Sequence, residues 1–147
     1  MFKNILIPTD GSETALKAMR AGIELAAETG ARVTGYCAQE RAPIQIYGEG
    51  YGMDKQLVAE FEKRASDFAQ KNVRGVEAAA RAAGVPCKVL VTKATLTYRG
   101  IIDAAEKKGC DAIVMGSHGH RGLKKLLLGS VTQEVLTHSK LPVLVFR

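Results

Sequence analysis

DAIVMGSHGHRGLKKLLLGSVT, residues 111–132, joins a predicted strand to a glycine-rich loop and then to the start of a predicted helix. Residues 112–115 form a short apolar run of the kind found in strands that are buried on both faces. The loop that follows has three glycines within seven positions: Gly116, Gly119 and Gly122. Because glycine lacks a side chain and tolerates positive φ, backbone N–H groups in such a loop can surround an anion. Gly129 and Ser130 would then begin a helix whose free N–H groups and positive dipole end face the same anion.

This pattern predicts phosphate binding but matches neither of the two common phosphate motifs. It lacks GxxxxGK[ST], and its glycines have the wrong spacing for GxGxxG. Arg121, Lys124 and Lys125 would add positive charge around the anion. Ser130 also has a purely structural interpretation, since Ser130 and Gln133 match a capping box in which the serine side chain caps the helix. Both interpretations of Ser130 stay open at this point.

Strand and helix patterns alternate along the rest of the chain. Five short apolar or β-branched runs predict strands at residues 4–7, 31–37, 87–91, 112–115 and 143–146. Apolar residues at helical spacing predict four helices between these strands. The residues predicted to face the core are Leu16, Met19, Ile23 and Ala26 in the first helix; Leu57, Phe61, Ala65, Phe68 and Val76 in the second; Ile101, Ile102 and Ala105 in the third; and Val131, Val135 and Leu136 in the fourth. The order β-α-β-α-β-α-β-α-β predicts a mostly parallel sheet with helices on both faces, and 147 residues fit one α/β domain. Residues 39–53 have neither a strand pattern nor a helix pattern and contain Pro43 and three glycines, so we predict a mobile loop there.

The alternating order also predicts where a ligand would bind. In such sheets a crevice opens at the carboxyl ends of neighbouring strands whose chains leave to opposite faces. Two loops rich in small and polar residues follow the first and fourth predicted strands, at residues 8–12 and 116–122. We therefore expect these two loops to lie together and form the binding site.

Composition argues against several other classes of protein. The formal net charge is +6, but the basic residues are scattered among acidic ones and only four Tyr and four Phe could stack on bases, so nucleic-acid binding is not expected. No apolar run approaches the roughly 20 residues of a membrane span, and the apolar run at the start is too short for a signal peptide. Cys37, Cys87 and Cys110 form no CxxC pair, so neither a disulfide framework nor a structural zinc site is expected. These features predict a cytoplasmic protein without a membrane partner.

The sequence resembles the universal stress protein family at these same residues. ATP-binding members carry glycine, two residues, glycine, nine residues, and then glycine followed by serine or threonine. Gly116, Gly119, Gly129 and Ser130 fit that pattern without a gap. The likeness extends to the start, residues 5–12, and to the end, residues 129–145.

The resemblance implies a fold, a ligand and an assembly. The implied fold is a five-stranded parallel sheet ordered 3-2-1-4-5, of the adenine-nucleotide α-hydrolase-like kind. The implied ligand is ATP, with Mg²⁺ or Mn²⁺ possible between its phosphates, and the implied assembly is a homodimer through the last strand, residues 142–146. Carried over by position, the nucleotide contacts are Pro8, Thr9, Asp10, Cys37, Ala38, Met115, Gly116, Gly119, His120, Arg121, Gly129, Ser130, Val131 and Thr132.

Three functions remain open from the sequence. The favoured one is a regulatory module for stress responses, in which bound ATP orders the loops that a protein partner sees. The second is a weak ATPase or phosphotransferase completed by a partner, and the third is a protein-interaction platform that needs no nucleotide. We predict no catalytic residue and no protein metal site, because His118 and His120 have no carboxylate or cysteine close in sequence. Asp10 could contact the nucleoside or could serve only as a turn or cap residue.

Overall fold

Nine secondary-structure elements alternate along the chain in a computed structural model, which describes residues 1–43, 55–120 and 127–147. The strands are β1 (Asn4–Pro8), β2 (Arg32–Glu40), β3 (Cys87–Ala94), β4 (Ala112–Gly116) and β5 (Val143–Phe146). The helices are α1 (Glu13–Thr29), α2 (Lys55–Ala82), α3 (Thr97–Lys107) and α4 (Ser130–His138). Each predicted strand and helix is present, which confirms the alternating order.

The five strands form one parallel sheet in the order β3-β2-β1-β4-β5. This order confirms the one implied by the family resemblance. β1 and β4 pair at the centre, with Ile5 opposite Ala112 and Leu6 opposite Ile113. The chain leaves β1 toward β2 and leaves β4 toward β5, so the two loops after these strands separate there. The predicted crevice therefore lies above β1 and β4.

Alternation within β1 explains why helices cover both faces of the sheet. Successive strand residues point to opposite faces. Ile5 and Ile7 pack with residues of α1 and α2, whereas Leu6 packs with residues of α3 and α4. All five residues of β1 and all five of β4 are buried. The continuous apolar runs that predicted these strands thus follow from burial on both faces.

Four apolar residues predicted to lie in the core are instead exposed: Leu16 at 37%, Leu57 at 47%, Phe68 at 47% and Leu136 at 42%. For α2 the reason is its length. Its 28 residues span about 42 Å, which is longer than the strands beneath it. Its buried residues are confined to the second half, from Ala69 to Ala80. Helical spacing identifies an apolar face but not how much of the helix overlies the sheet.

β2 extends further than predicted and shortens the expected loop. Gln39 and Glu40 belong to the strand, because they pair with Lys93 and Ala94 of β3. The irregular segment therefore begins at Arg41 and not at residue 39. Residues 44–53 of the predicted mobile loop lie outside the described residues. Among the described helices none is long and apolar enough to cross a lipid bilayer.

Candidate functional site

The loops after β1 and β4 are joined by the side chain of Asp10. Its Oδ1 accepts a hydrogen bond from the Ser12 N–H at 3.0 Å, and its Oδ2 accepts one from the His120 N–H at 2.8 Å. The Thr14 hydroxyl donates to the His118 carbonyl oxygen and provides a second connection. These bonds confirm that the two loops lie together at the carboxyl edge of the sheet. Both carboxylate oxygens of Asp10 hold the loops in place, which supports its interpretation as a turn residue.

Two glycines in the β4 loop, Gly116 and Gly119, are needed because neighbouring atoms leave no space for a side chain. Their backbone conformation is not unusual. A Cβ on Gly116 would lie 2.8 Å from the Thr14 carbonyl carbon and 2.9 Å from the Ala15 nitrogen, both in the backbone of α1. A Cβ on Gly119 would collide with Asp10 Oδ2. Within the described ranges positive φ is confined to other glycines: Gly11, Gly30, Gly84 and Gly109. The sequence argument from positive φ was therefore wrong at Gly116 and Gly119.

The N-terminus of α4 presents unpaired backbone donors. Gly129 is the N-cap, with φ −70° and ψ 157°, and its N–H donates to the Ser117 carbonyl at 2.7 Å. The next three N–H groups, of Ser130, Val131 and Thr132, make no hydrogen bond within the part of the chain that the structure describes. The capping-box interpretation of Ser130 was wrong, because Ser130 is the first helical residue and makes no side-chain cap bond. Such an N-terminus attracts anions through its N–H groups and the helix dipole.

The Thr132 hydroxyl joins α4 to β4. The residue is 2% exposed, and its Oγ1 donates to the Gly116 carbonyl oxygen at 2.9 Å. The hydroxyl is therefore bonded within the protein, and Thr132 stays a predicted contact through its N–H. The bond to Gly116 ties the first turn of α4 to the end of β4. Together with the bond from Gly129 to Ser117, it fixes the direction in which the free N–H groups point.

A cleft of about 450 Å³ opens beside these N–H groups. It lies between the start of α3 and the start of α4, and it is lined by Thr95, Leu96, Thr97, Tyr98, Ser130, Val131 and Glu134. Its size falls in the range of small-molecule sites in proteins. A ligand can therefore approach the N-terminus of α4 from solvent.

The remaining predicted contacts occupy different positions around the edge. Pro8 and Thr9 are buried at the end of β1, where the Thr9 N–H donates to the Tyr36 carbonyl at 2.9 Å. Met115 is 5% exposed and packs in the core with residues of α3 and α4. The His120 ring is exposed and lies 6.3 Å from the Phe68 ring of α2. Arg121 lies outside the described residues.

Cys37 and Ala38 lie within β2, just past Tyr36, which is opposite Pro8 at the end of β1. They stay predicted contacts of the base. Cys37 is buried, and this burial raises the pKa of its thiol to about 11. Hydrogen bonding by Asn72 to the ionised thiol opposes part of that rise in pKa. The thiol is therefore neutral at pH 7, which makes a reactive thiolate at this position unfavourable.

Asn72 is a residue of the site that was missed in the sequence. It lies on α2, and its Oδ1 is so close to Gly11 that a Cβ there would stand 2.5 Å from it. Its Nδ2 is buried and has no hydrogen-bond partner among the residues that the structure describes. An unpaired buried donor costs about 1–3 kcal/mol. The available signal was a polar residue four positions after Phe68 and four before Val76, on the apolar stripe of an amphipathic helix.

Comparison with known proteins agrees with this geometry. The model of the universal stress protein family matches residues 1–147. Universal stress protein MJ0531 of Methanocaldococcus jannaschii is 34% identical over 148 residues, which cover 100% of this chain and 83% of the relative. Universal stress protein MJ0577 of the same organism is 33% identical over 156 residues, which cover 100% of this chain and 96% of the relative.

Solved structures of two such proteins also superpose on this chain. The MJ0577 structure superposes with a TM-score of 0.83 at 29% identity and covers 99% of this chain and 96% of its own. Universal stress protein UspA of Lactobacillus plantarum superposes with a TM-score of 0.83 at 22% identity, over 99% of this chain and 97% of its own. The chain belongs to the universal stress protein family.

Proposed function

We propose that this protein binds an adenine nucleotide, ATP in the first place, at the carboxyl edge of β1 and β4. The observation that carries the proposal is the group of three N–H donors of Ser130, Val131 and Thr132, which have no partner in the described part of the chain. They lie beside an open cleft and belong to a helix of nine residues, whose dipole favours negative charge at this end. The phosphates would bind there, and a divalent cation would be held through phosphate oxygens.

The rest of the site fits a nucleotide laid across the sheet edge. From the phosphate end, the edge continues over β1 to β2, where Cys37 packs against α2 and is followed by Ala38. Two solved universal stress proteins of this fold are complexes with adenine nucleotides, one with cAMP and one, from Archaeoglobus fulgidus, with dAMP. At 21% and 19% identity, the similarity of these two structures to this chain shows a common fold and no more. Their support for the proposal is that the fold accommodates an adenine nucleotide in those proteins.

A titration series separates phosphate recognition from binding of the nucleoside. The purified protein is titrated calorimetrically with ATP, ADP, AMP and adenosine at one fixed salt concentration. Because backbone donors at a helix N-terminus bind anions, we expect the affinity to fall with each phosphate removed and adenosine to bind weakest. No binding of ATP at millimolar concentration would contradict the proposal. Equal affinity for ATP and adenosine would contradict the placement of the phosphates.

We further propose that the bound nucleotide acts as a regulatory signal to a protein partner in the cytoplasm. The loop after β4 is tied to the loop after β1 through Asp10, so a ligand that contacts the α4 end would favour one arrangement of both loops. A reducing compartment suits the free thiols of Cys37, Cys87 and Cys110. Stoichiometric ATP that is recovered intact after the protein is denatured would support regulation. Recovery of ADP would favour slow hydrolysis.

We also propose a homodimer through β5. This strand is at the edge of the sheet, so one side of its backbone has no neighbouring strand. The carbonyl groups of Pro142 and Phe146 accept hydrogen bonds from the β4 side. Because backbone groups alternate in direction along a strand, Val143 and Val145 present theirs to the free edge. Pairing with the same strand of a second copy would satisfy these groups.

Val145→Pro tests this dimer by removing one outward N–H while keeping the bonds to β4. Proline is tolerated in an edge strand where its missing N–H would face solvent. We expect light scattering after size exclusion to give a dimer for the wild-type protein and a monomer for Val145→Pro. Circular dichroism should report the same secondary structure for both proteins. A monomeric wild-type protein, or a variant that remains dimeric, would contradict the assignment of this edge.

A further inference from the structure

The side-chain amide of Asn72 lies between three elements of the candidate site. Its helix, α2, packs on β2 through a small cluster that contains Cys37, Ala69 and Val73. The amide itself lies beside Cys37 on one side and against Gly11, in the loop after β1, on the other. The residue is only partly buried as a whole, although its Nδ2 atom is fully buried. The amide thus lies in the wall of the site and is not sealed in the core.

The neighbours of Asn72 do not satisfy its donor. The Gly11 N–H donates to Thr9 Oγ1 at 3.1 Å, so this loop is already internally bonded. The Cys37 thiol donates to the Ala38 carbonyl at 3.7 Å, and a neutral thiol is only a weak acceptor. Among residues 1–43, 55–120 and 127–147, Nδ2 therefore has no hydrogen-bond partner. Buried amide donors almost always have a partner, so an unpaired one calls for an explanation.

The position of Asn72 along the sheet edge indicates which part of a ligand it would meet. The sheet order places β2 and β4 on opposite sides of β1. The free N–H groups of α4 follow β4, whereas Asn72 lies over β2 and the loop after β1. A nucleotide with its phosphates at α4 would therefore have its base near Asn72. A purine presents ring nitrogens that accept hydrogen bonds, and asparagine is well suited to read such an edge.

We propose that Asn72 is a base-recognition residue, whose Nδ2 donates a hydrogen bond to a ring nitrogen of the bound purine. This inference rests on the proposed nucleotide binding and goes beyond it, because it assigns a specificity contact to α2. Gly11 has a supporting role, since any larger residue there would displace the amide. A bound purine would then supply the partner that Nδ2 lacks among the described residues.

Asn72→Leu tests the proposal because it removes the donor while keeping a side chain of four heavy atoms branched at Cγ. We expect the affinity for ATP to fall about tenfold, as for the loss of one buried hydrogen bond. We also expect the ligand-free variant to melt at the same or a higher temperature, since it no longer buries an unpaired polar group. A purely structural Asn72 would behave differently, with a lower melting temperature and unchanged affinity. Gln70→Leu, at an exposed position of the same helix, is the matched control and should leave the affinity unchanged.

Base analogues identify the acceptor directly. ATP is compared with its 1-deaza, 3-deaza and 7-deaza analogues, each of which replaces one ring nitrogen by carbon. We expect the wild-type protein to lose about tenfold in affinity for one analogue, and Asn72→Leu to show no such difference. Asn72→Asp, which keeps the shape but lacks the donor, provides the same comparison if the leucine variant does not fold.

The outcomes separate this inference from the function on which it rests. A wild-type protein that binds ATP but shows equal affinity for all three analogues would overturn base recognition by Asn72 and leave nucleotide binding intact. Equal ATP affinity of the wild-type protein and both Asn72 variants would also overturn base recognition by Asn72 and leave nucleotide binding intact. A wild-type protein that binds no adenine nucleotide would overturn the proposed function and this inference together.

Discussion

Replacement of Gly116 by alanine is expected to lower the free energy of unfolding by about 3 kcal/mol, because it introduces a methyl group where there is no space. The new Cβ would lie 2.8 Å from the Thr14 carbonyl carbon and 2.9 Å from the Ala15 nitrogen. These are backbone atoms in the first turn of α1, so no side chain can rotate to relieve the contact. Either α1 or the end of β4 must move. Urea unfolding followed by circular dichroism measures the loss.

Replacement of Gly75 by alanine is the matched control, and we expect it to change the free energy of unfolding in the opposite direction. Gly75 lies within α2, is exposed, and has no atom within 4 Å of the position its Cβ would take. Alanine there should raise the free energy of unfolding by about 0.5–1 kcal/mol, because glycine is a poor helix former. Similar effects at the two positions would mean that contact with α1 does not explain Gly116. Gly116 would then require another explanation, such as direct access of a ligand.

The second large effect is expected for Ser130→Pro, which tests the phosphate site at a single N–H group. Proline is favoured at the first position of a helix, where its missing N–H would have no intrahelical partner. Gly129 is already extended, at φ −70° and ψ 157°, which suits a residue before proline. The fold should therefore be retained. If the Ser130 N–H donates to a phosphate, the affinity for ATP should fall about 10- to 100-fold, as for a lost hydrogen bond to a charged group.

Ser130→Ala is the control for this experiment. It removes the hydroxyl and keeps the N–H, so the difference between the two variants isolates the backbone donor. We expect a small change in ATP affinity for Ser130→Ala and a large one for Ser130→Pro, measured by the same calorimetric titration. Thermal unfolding should show both variants as stable as the wild-type protein. Unchanged ATP affinity in a folded Ser130→Pro variant would place the phosphates elsewhere.

Much of the architecture could be predicted from local patterns. Ile5, Leu6 and Ile7 form a continuous apolar run because β1 has helices on both faces. The alternation of strands and helices predicted a parallel sheet, since parallel strands need a crossover between them. The two loops of the candidate site were also predicted correctly to lie together, and the bond from His120 to Asp10 joins them. The individual ligand contacts stay predictions.

Details of the site were harder to predict. Gly116 and Gly119 were recognised as special but for the wrong reason, because the sequence does not indicate that α1 approaches one and Asp10 the other. The bond from the Thr132 hydroxyl to the end of β4 was not indicated by the sequence either. Asn72 was not recognised at all. In each case the deciding contact joins residues that are distant along the chain.

The sequence by itself determined which segments become strands and helices, how they alternate, and at which edge the polar loops gather. These properties depend on local periodicity, because a strand repeats every two residues and a helix every 3.6. Only the tertiary structure decided that the buried residues of α2 are confined to its second half, that Asp10 joins two loops, and that Asn72 meets Gly11. Such contacts depend on how far each helix slides and turns against the sheet. That placement is set by close packing of many side chains at once, which no local pattern records.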